Sequence, residues 1–179
     1  MNKKLHKIRF LFTNDGFDRA NYLRKHKLLH SIGDNVFFQP RKLPDDSGLI
    51  SLGDNVVIAS DVTFVCHDAM NIMFNYIEDD STSFYCAPIN IGNNVFIGSK
   101  SIILPNVNIE DNVIIGAGSI VTKDIKSGSV VAGAPVKKIG DFNNIFDNRK
   151  KMDKDIIEKR YEIAWKNFFN GRNNLWINM

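Results

Sequence analysis

The side chain best suited to chemistry is His67, which lies in the sequence Val-Cys-His-Asp-Ala over residues 65–69. The other three histidines, His6, His26 and His30, all lie near the start, so His67 alone lies in the central part of the chain. A neutral imidazole can take the proton of a weak nucleophile such as a hydroxyl and later return it to a leaving group. His67 is therefore the candidate general base.

A general base needs an orienting partner, and three aspartates are candidates. Asp68 is adjacent to His67, but neighbouring side chains on extended backbone point to opposite sides. Asp45 and Asp46 lie upstream and remain open as alternatives. Cys66 is a possible nucleophile; by the same alternation it is expected to face away from His67 as a buried, inert thiol.

The element that must position His67 is a six-residue repeat. Between residues 91 and 125 an aliphatic residue recurs at every sixth position, namely Ile91, Ile97, Ile103, Ile109, Ile115 and Val121. This period fits neither an amphipathic helix nor an alternating strand. It predicts a parallel β-helix, in which three units form one triangular coil and successive coils lie about 4.8 Å apart. Glycine and asparagine at the corners tolerate the positive φ of tight turns.

The repeat loses its phase twice. The interval from Ile32 to Leu52 is not a multiple of six, which predicts a bulge over residues 39–48. The interval from Phe64 to Ile91 is not a multiple of six either, which predicts a loop insertion over residues 70–87. Solenoids place insertions on one face, often the binding face. We expect a basic helical cap over residues 1–30, with a helix at 17–29, then the β-helix domain over 31–140. A C-terminal helical extension covers 141–179, with a helix at 153–170.

The length, composition and charge of the chain favour one soluble domain, and they argue against a membrane-spanning or disulfide-rich protein. The chain has 179 residues and a net charge of +3, with eight Lys/Arg against two acids in residues 1–30. We expect that basic segment to be a solvated or packed helix face, because no nucleic-acid motif accompanies it. No apolar run approaches the roughly 18–20 residues of a membrane span, and no signal peptide follows the basic start. We expect a cytoplasmic protein, and two cysteines are too few for a disulfide framework.

The stretch APINIGNNVFIGSKSIILPNVNIEDNVIIGAGSIVTKDIKSGSVVAGAPVKKIG, residues 87–140, resembles the maltose/galactoside O-acetyltransferase family of hexapeptide acyltransferases. Within that family it looks most like enzymes that acetylate surface or capsular polysaccharides. The resemblance implies a left-handed β-helix and a homotrimer with active sites between neighbouring subunits. It implies acetyl-CoA as cosubstrate without a metal, direct transfer in a ternary complex, and His67 as the catalytic base.

The resemblance also implies where coenzyme A lies. Small corner residues let the pantetheine arm approach the backbone, and cations near the end of the solenoid meet the phosphates. Family positions fall on Ser99, Ala117, Thr122 and Phe96, although many members have Trp in place of Phe96. The full set of expected cofactor contacts is Phe96, Gly98, Ser99, Gly116, Ala117, Thr122, Lys123, Lys137 and Lys138.

The acceptor is less determined by the sequence. We expect the acceptor to be a carbohydrate hydroxyl, because aromatic residues of the insertion can stack on a sugar ring. The expected acceptor contacts are Asp45, Asp46, Asp68 and Tyr85. The insertion could instead cover the solenoid or pack on a neighbouring subunit. An amine of a nucleotide-linked sugar or an antibiotic remains an alternative acceptor.

Two other functions fit the same fold less well. A zinc enzyme similar to the γ-class carbonic anhydrases needs three histidines on neighbouring coils, and the repeat contains one. A non-catalytic β-helix used for assembly gives no reason to combine His67 with the cofactor-like block. The sequence therefore favours an acyltransferase.

Overall fold

The structure is a computed structural model, and it describes residues 3–79, 81–151 and 156–170. Its helices are α1 (Lys3–Leu11), α2 (Gly16–Lys25), α3 (Met70–Ile77), α4 (Phe142–Lys150) and α5 (Ile156–Asn170). Its strands are β1 (Ser31–Ile32), β2 (Phe37–Phe38), β3 (Ile50–Leu52), β4 (Val57–Ile58), β5 (Thr63–Phe64), β6 (Ile89–Ile91), β7 (Val95–Ile97), β8 (Ile102–Ile103), β9 (Val107–Ile109), β10 (Val113–Ile115), β11 (Ile120–Val121), β12 (Ser129–Ala132) and β13 (Lys137–Asp141).

The strands form the three faces of a parallel β-helix. The first sheet has the order β1-β3-β6-β9, the second β13-β12-β10-β7-β4-β2, and the third β11-β8-β5. Ile89 pairs with Val107 and Ile91 with Ile109, so one regular coil consists of three hexapeptide units. Only the last pair, β12 with β13, is antiparallel within the described part of the chain. The predicted all-β fold with helical caps is confirmed.

The repeating aliphatic residues form the core. Ile97 and Ile115 are fully buried and pair in register across β7 and β10, and Ile58 lies one coil further along the same row. Burying such a side chain contributes about 1.5–3 kcal/mol. The stacked rows therefore give a rigid frame that fixes the positions of the corners.

Asparagines at one corner form a ladder along the axis. Asn35, Asn55, Asn94 and Asn112 all have φ between 55° and 57°. Each amide donates to the next at 3.0, 2.9 and 3.0 Å. Asparagine tolerates this left-handed conformation and supplies both a donor and an acceptor, which explains its recurrence at the corners.

The two breaks in the repeat are found where the sequence places them. Ile32 pairs with Leu52, where an unbroken repeat would pair it with Ile50, and Leu52 pairs with Ile91 across the insertion. The first break runs from β2 to a short 3₁₀ turn at Ser47–Leu49. The second begins with α3, where a loop was expected. Just before this helix the carboxylate of Asp68 accepts the N–H of Met70 at 3.0 Å.

The N-terminal helices pack on the first coil. Asp15 caps α2 by accepting the N–H of Asp18 at 2.9 Å, and α2 packs against β2. Arg19 on α2 is fully buried, so the basic segment is partly a packed face. Helix α1 was not anticipated, and its Phe10 is fully buried beside Phe38.

The C-terminal helix α4 packs on the outer face of the second sheet. Ile145 meets Ile114 and Val130 there, with Phe96 and Phe142 at the edge. Helix α5 ends at Asn170, as predicted, and the predicted start at residue 153 lies outside the described residues. No helix in the described ranges is long and apolar enough to cross a membrane.

Candidate active site

His67 lies where the third face of the second coil meets the insertion. It follows β5, and a single antiparallel bridge joins it to Cys86, where the insertion returns. Its side chain is 40% exposed. The ring of Phe84 lies against it, with 5.4 Å between the two ring centroids and 36° between the planes. The solenoid thus holds His67 at an accessible edge.

The side chain that meets the imidazole of His67 is that of Asp46. The Nδ1 atom of His67 is in direct hydrogen-bond contact with Oδ2 of Asp46. A carboxylate accepts a hydrogen bond from a ring N–H, so this contact fits the tautomer with the proton on Nδ1. In the neutral ring Nε2 then has a free lone pair, which is the state that a general base requires.

The first break in the repeat positions Asp46. Leu43 is 2% exposed and anchors the middle of this segment in the core. The backbone C=O of Asp46 accepts the N–H of Leu49 at 2.8 Å, and its side chain makes no capping bond, so the carboxylate is free to reach His67. Asp45, the preceding residue, turns the other way and pairs with Lys7 of α1.

Arg19 holds the start of the same segment. Its Nε donates to the C=O of Phe38 at 2.9 Å, and Nη2 donates to Oε1 of Gln39 at 2.9 Å. Nη1 donates to the C=O of Thr13 at 3.0 Å. This role of Arg19 was not predicted. One feature of the sequence could have indicated it, since Arg19 shares a helix face with Ala20 and Leu23.

A cleft of about 500 Å³ opens beside His67, and we call it the His67 cleft. Its walls are the first break and the end of the second coil. Its lining residues are Leu11, Pro40, Arg41, Lys42, Pro44, Asp45, Asp46, Asp61, Val62, Thr63, Phe64, Val65, Cys66 and His67. Two predicted acceptor contacts, Asp45 and Asp46, therefore meet the predicted base in one cavity.

The other two predicted acceptor contacts lie outside this lining. The carboxylate of Asp68 accepts the N–H of Met70, and the contact to the His67 ring comes from Asp46, so the suggested Asp68–His67 pair is not formed. Tyr85 is 46% exposed, and its C=O accepts the N–H of Asp68 at 3.3 Å. Contact of Asp68 or Tyr85 with an acceptor stays a prediction.

Cys66 is buried, as predicted, with 3% of its surface exposed. Burial, followed by the charge of Asp46, raises the pKa of its thiol to about 11. A thiol that stays protonated at neutral pH is a poor nucleophile.

The predicted cofactor residues lie on the later coils. Gly98 and Ser99 follow β7, and Ala117 lies on the corner after β10, where the N–H of Gly118 donates to the C=O of Ser99 at 2.8 Å. A Cβ on Gly98 would come within 2.4 Å of the Ala117 nitrogen, so this glycine allows the coils to stack. Gly116 packs similarly on Ala132.

The remaining cofactor candidates are exposed or differently placed. Thr122, Lys123, Lys137 and Lys138 are exposed near the end of the solenoid, and Lys138 pairs with Asp141 at 2.5 Å. Phe96 packs beside α4 on the outer face of the second sheet. Their contact with coenzyme A stays a prediction. Within the described residues, no group of three or more His, Cys, Asp or Glu side chains is placed to hold a metal.

Comparisons with known proteins agree with this architecture. The family model "Bacterial transferase hexapeptide (six repeats)" matches residues 88–123. Protein CapG of Staphylococcus aureus is 50% identical over 91 residues, which are 51% of this chain and 52% of CapG. The chain thus spans about half the length of that curated relative.

Two solved structures match over most of their length. A maltose O-acetyltransferase from Clostridium difficile 630 is 30% identical with a TM-score of 0.58, covering 77% of this chain and 83% of that one. A galactoside acetyltransferase in complex with coenzyme A is 28% identical with a TM-score of 0.61, covering 84% of each chain. The coils of this fold wind left-handed. The chain belongs to the hexapeptide-repeat acetyltransferase family, close to the galactoside and maltose O-acetyltransferases.

Proposed function

We propose that this chain is an O-acetyltransferase that moves an acetyl group from acetyl-CoA to a hydroxyl of a sugar or of a surface-polysaccharide precursor. The observation that carries the proposal is the contact of His67 Nδ1 with Asp46 at the wall of the His67 cleft. Family membership supports the donor, since one similar structure is a galactoside acetyltransferase with coenzyme A.

The chemistry follows from the tautomer of His67. Nε2 accepts the proton of the acceptor hydroxyl while the hydroxyl oxygen attacks the thioester carbonyl carbon. The tetrahedral intermediate places negative charge on the former carbonyl oxygen, which backbone N–H groups at a corner turn would stabilise. Cleavage of the C–S bond releases the thiolate, and the imidazolium of His67 returns the proton to it. The acetyl group passes directly to the acceptor without an acyl-enzyme.

We place the donor along the later coils. The corner of Ser99 and Ala117 gives the pantetheine arm an exposed backbone edge, and Thr122 follows on the same coil. Lys123 and Lys137 supply charge for the phosphates, as point charges without the fork of an arginine. Donor and acceptor then reach His67 from different coils.

We also propose a homotrimer, with each site completed by a neighbouring subunit, acting in the bacterial cytoplasm. Helix α3 supports the interface, because none of its side chains is buried although most are apolar. Its exposed apolar side chains are Met70, Ile72, Met73, Phe74, Tyr76 and Ile77. Large exposed apolar patches mark interaction surfaces more often than solvent faces.

The test is thiol release from acetyl-CoA with a panel of sugars, amino sugars, nucleotide sugars and antibiotics. His67→Asn should lower kcat by about 100-fold or more, which lies within the range for loss of a general base. His30→Asn, which replaces an exposed histidine outside the cleft, is the matched control and should keep wild-type kcat. Acetyl-CoA affinity by calorimetry and the mass of the assembly should be unchanged in both variants. Wild-type rates in His67→Asn would refute the mechanism.

A further inference from the structure

The acceptor side of the His67 cleft carries two cations, Arg41 and Lys42. We infer that the acceptor bears an anionic group, a carboxylate or a phosphate, which Arg41 and Lys42 bind while its hydroxyl meets His67. This inference rests on the acetyl transfer proposed above. It narrows the acceptor from sugars in general to acidic sugars or sugar phosphates.

The charges of the cleft are unevenly matched. Asp46 is paired with His67, and Asp45 is paired with Lys7. Neither Arg41 nor Lys42 forms a salt bridge with any residue in the described part of the chain. Asp61 is exposed at a corner of the second coil and is the remaining acid of the lining. Among the described residues, Arg41 and Lys42 thus remain at this wall without a carboxylate partner.

Arg41 is exposed and makes one hydrogen bond to the wall of the cleft. Its Nη1 donates to the C=O of Leu11 at 3.3 Å, and Leu11 is itself part of the lining. This bond occupies one of the five N–H donors of the guanidinium. The others remain for a planar, two-oxygen partner such as a carboxylate or a phosphate.

A second guanidinium, that of Arg19, lies close to Arg41. Arg19 is fully buried, and its hydrogen bonds go to neutral oxygens of Phe38, Thr13 and Gln39. Burial, and then the nearby charge of Arg41, lower the pKa of Arg19. Like charges in one region repel, and a bound anion relieves that repulsion.

The wall that carries Arg41 and Lys42 faces the acceptor side. None of the residues predicted to contact coenzyme A is part of the lining of the His67 cleft. Those residues lie on the coils that carry β7 to β13, whereas Arg41 and Lys42 lie in the first break, shortly before Asp46. The cations and the orienting carboxylate thus belong to one short segment.

Matched acceptors test the inference. Glucose, glucuronate and glucose 6-phosphate are compared by kcat/KM, and the galactose series is run in parallel. We expect at least about a tenfold preference for one anionic form, and the preferred form distinguishes carboxylate from phosphate. The double variant Arg41→Gln, Lys42→Gln should lower the preference for the anionic acceptor by about 10- to 100-fold, through a higher KM for that acceptor. This is the size expected for charge-assisted hydrogen bonds. Lys126→Gln, at a distant corner where Lys126 pairs with Glu110, is the charge-matched control.

Several outcomes would overturn the inference while leaving acetyl transfer intact. These are equal kcat/KM for neutral and anionic acceptors, an equal loss with Lys126→Gln, or a rise in the KM for acetyl-CoA instead of the acceptor. If none of the sugars is acetylated, glucuronate and glucose 6-phosphate are titrated against wild type and the double variant, with the His67 imidazole signals followed by NMR. Equal changes of the imidazole signals in wild type and the double variant, or no change in wild type, would also overturn the inference. Loss of transfer in His67→Asn separately tests the proposed function.

Discussion

Replacing Asp46 by asparagine tests the orienting role most directly. The substitution keeps the size and polarity of the side chain and removes its negative charge, so it separates charge from shape. The amide oxygen can still accept from Nδ1, but the amide N–H can equally donate to it, which would place the ring proton on Nε2. In that tautomer His67 cannot accept the proton of a hydroxyl.

The structure sets the size of the effect. A hydrogen bond to a charged group contributes about 1.5–3 kcal/mol when shielded from water. The side chains of His67 and Asp46 are 40% and 33% exposed, so solvent screens part of this interaction energy. We therefore use about 1–2 kcal/mol, which corresponds to about a 5- to 30-fold lower kcat. The KM for acetyl-CoA should not change.

The neighbouring aspartates provide the controls in a thiol-release assay at saturating donor and acceptor. Asp68→Asn should keep kcat within about twofold, because an asparagine oxygen can still accept the N–H of Met70. Asp45→Asn breaks the pair with Lys7 and should keep the wild-type kcat. Full kcat in Asp46→Asn would contradict the orienting role, and so would an equal loss in Asp68→Asn.

Three further predictions concern the frame around the site. A disulfide reagent should label Cys86, which is exposed, but reach buried Cys66 only in denaturant, and two fast thiols in the native protein would contradict this. Asn94→Ala should lower the free energy of unfolding in urea by about 1 kcal/mol more than Asn94→Gly, because only glycine relieves the φ of 56°. Gly98→Ala should cost about 1–3 kcal/mol, since its Cβ would clash with the backbone nitrogen of Ala117, and an unchanged melting temperature would refute that packing.

The fold could be predicted because the period of six repeats one physical requirement. Each aliphatic position must face inward and stack on its equivalent in the next coil, and the observed pairing of Ile97 with Ile115 satisfies this. Helix α3 could not be foreseen in the same way. Its apolar side chains are all exposed in the single chain, so no burial pattern within the chain marks it as a helix.

The site was only partly predictable. Local sequence identified His67, because the break in the repeat follows it directly. Its partner Asp46 belongs to the preceding break, and its approach depends on how that segment folds over the second coil. That path is fixed by Leu43 in the core and by Arg19 beneath the start of the segment. These are contacts between distant parts of the chain, which the local period does not encode.

The two breaks in the repeat explain why the chemistry lies on this coil. The faces of regular coils consist of short strands that bond to neighbouring coils. A general base needs a carboxylate on one side and open space on the other, which a continuous stack of strands does not provide. The first break supplies Asp46 and opens the His67 cleft, while the second supplies Phe84 against the imidazole. The regular coils on either side hold both breaks still, so specificity can change within the breaks without loss of the frame.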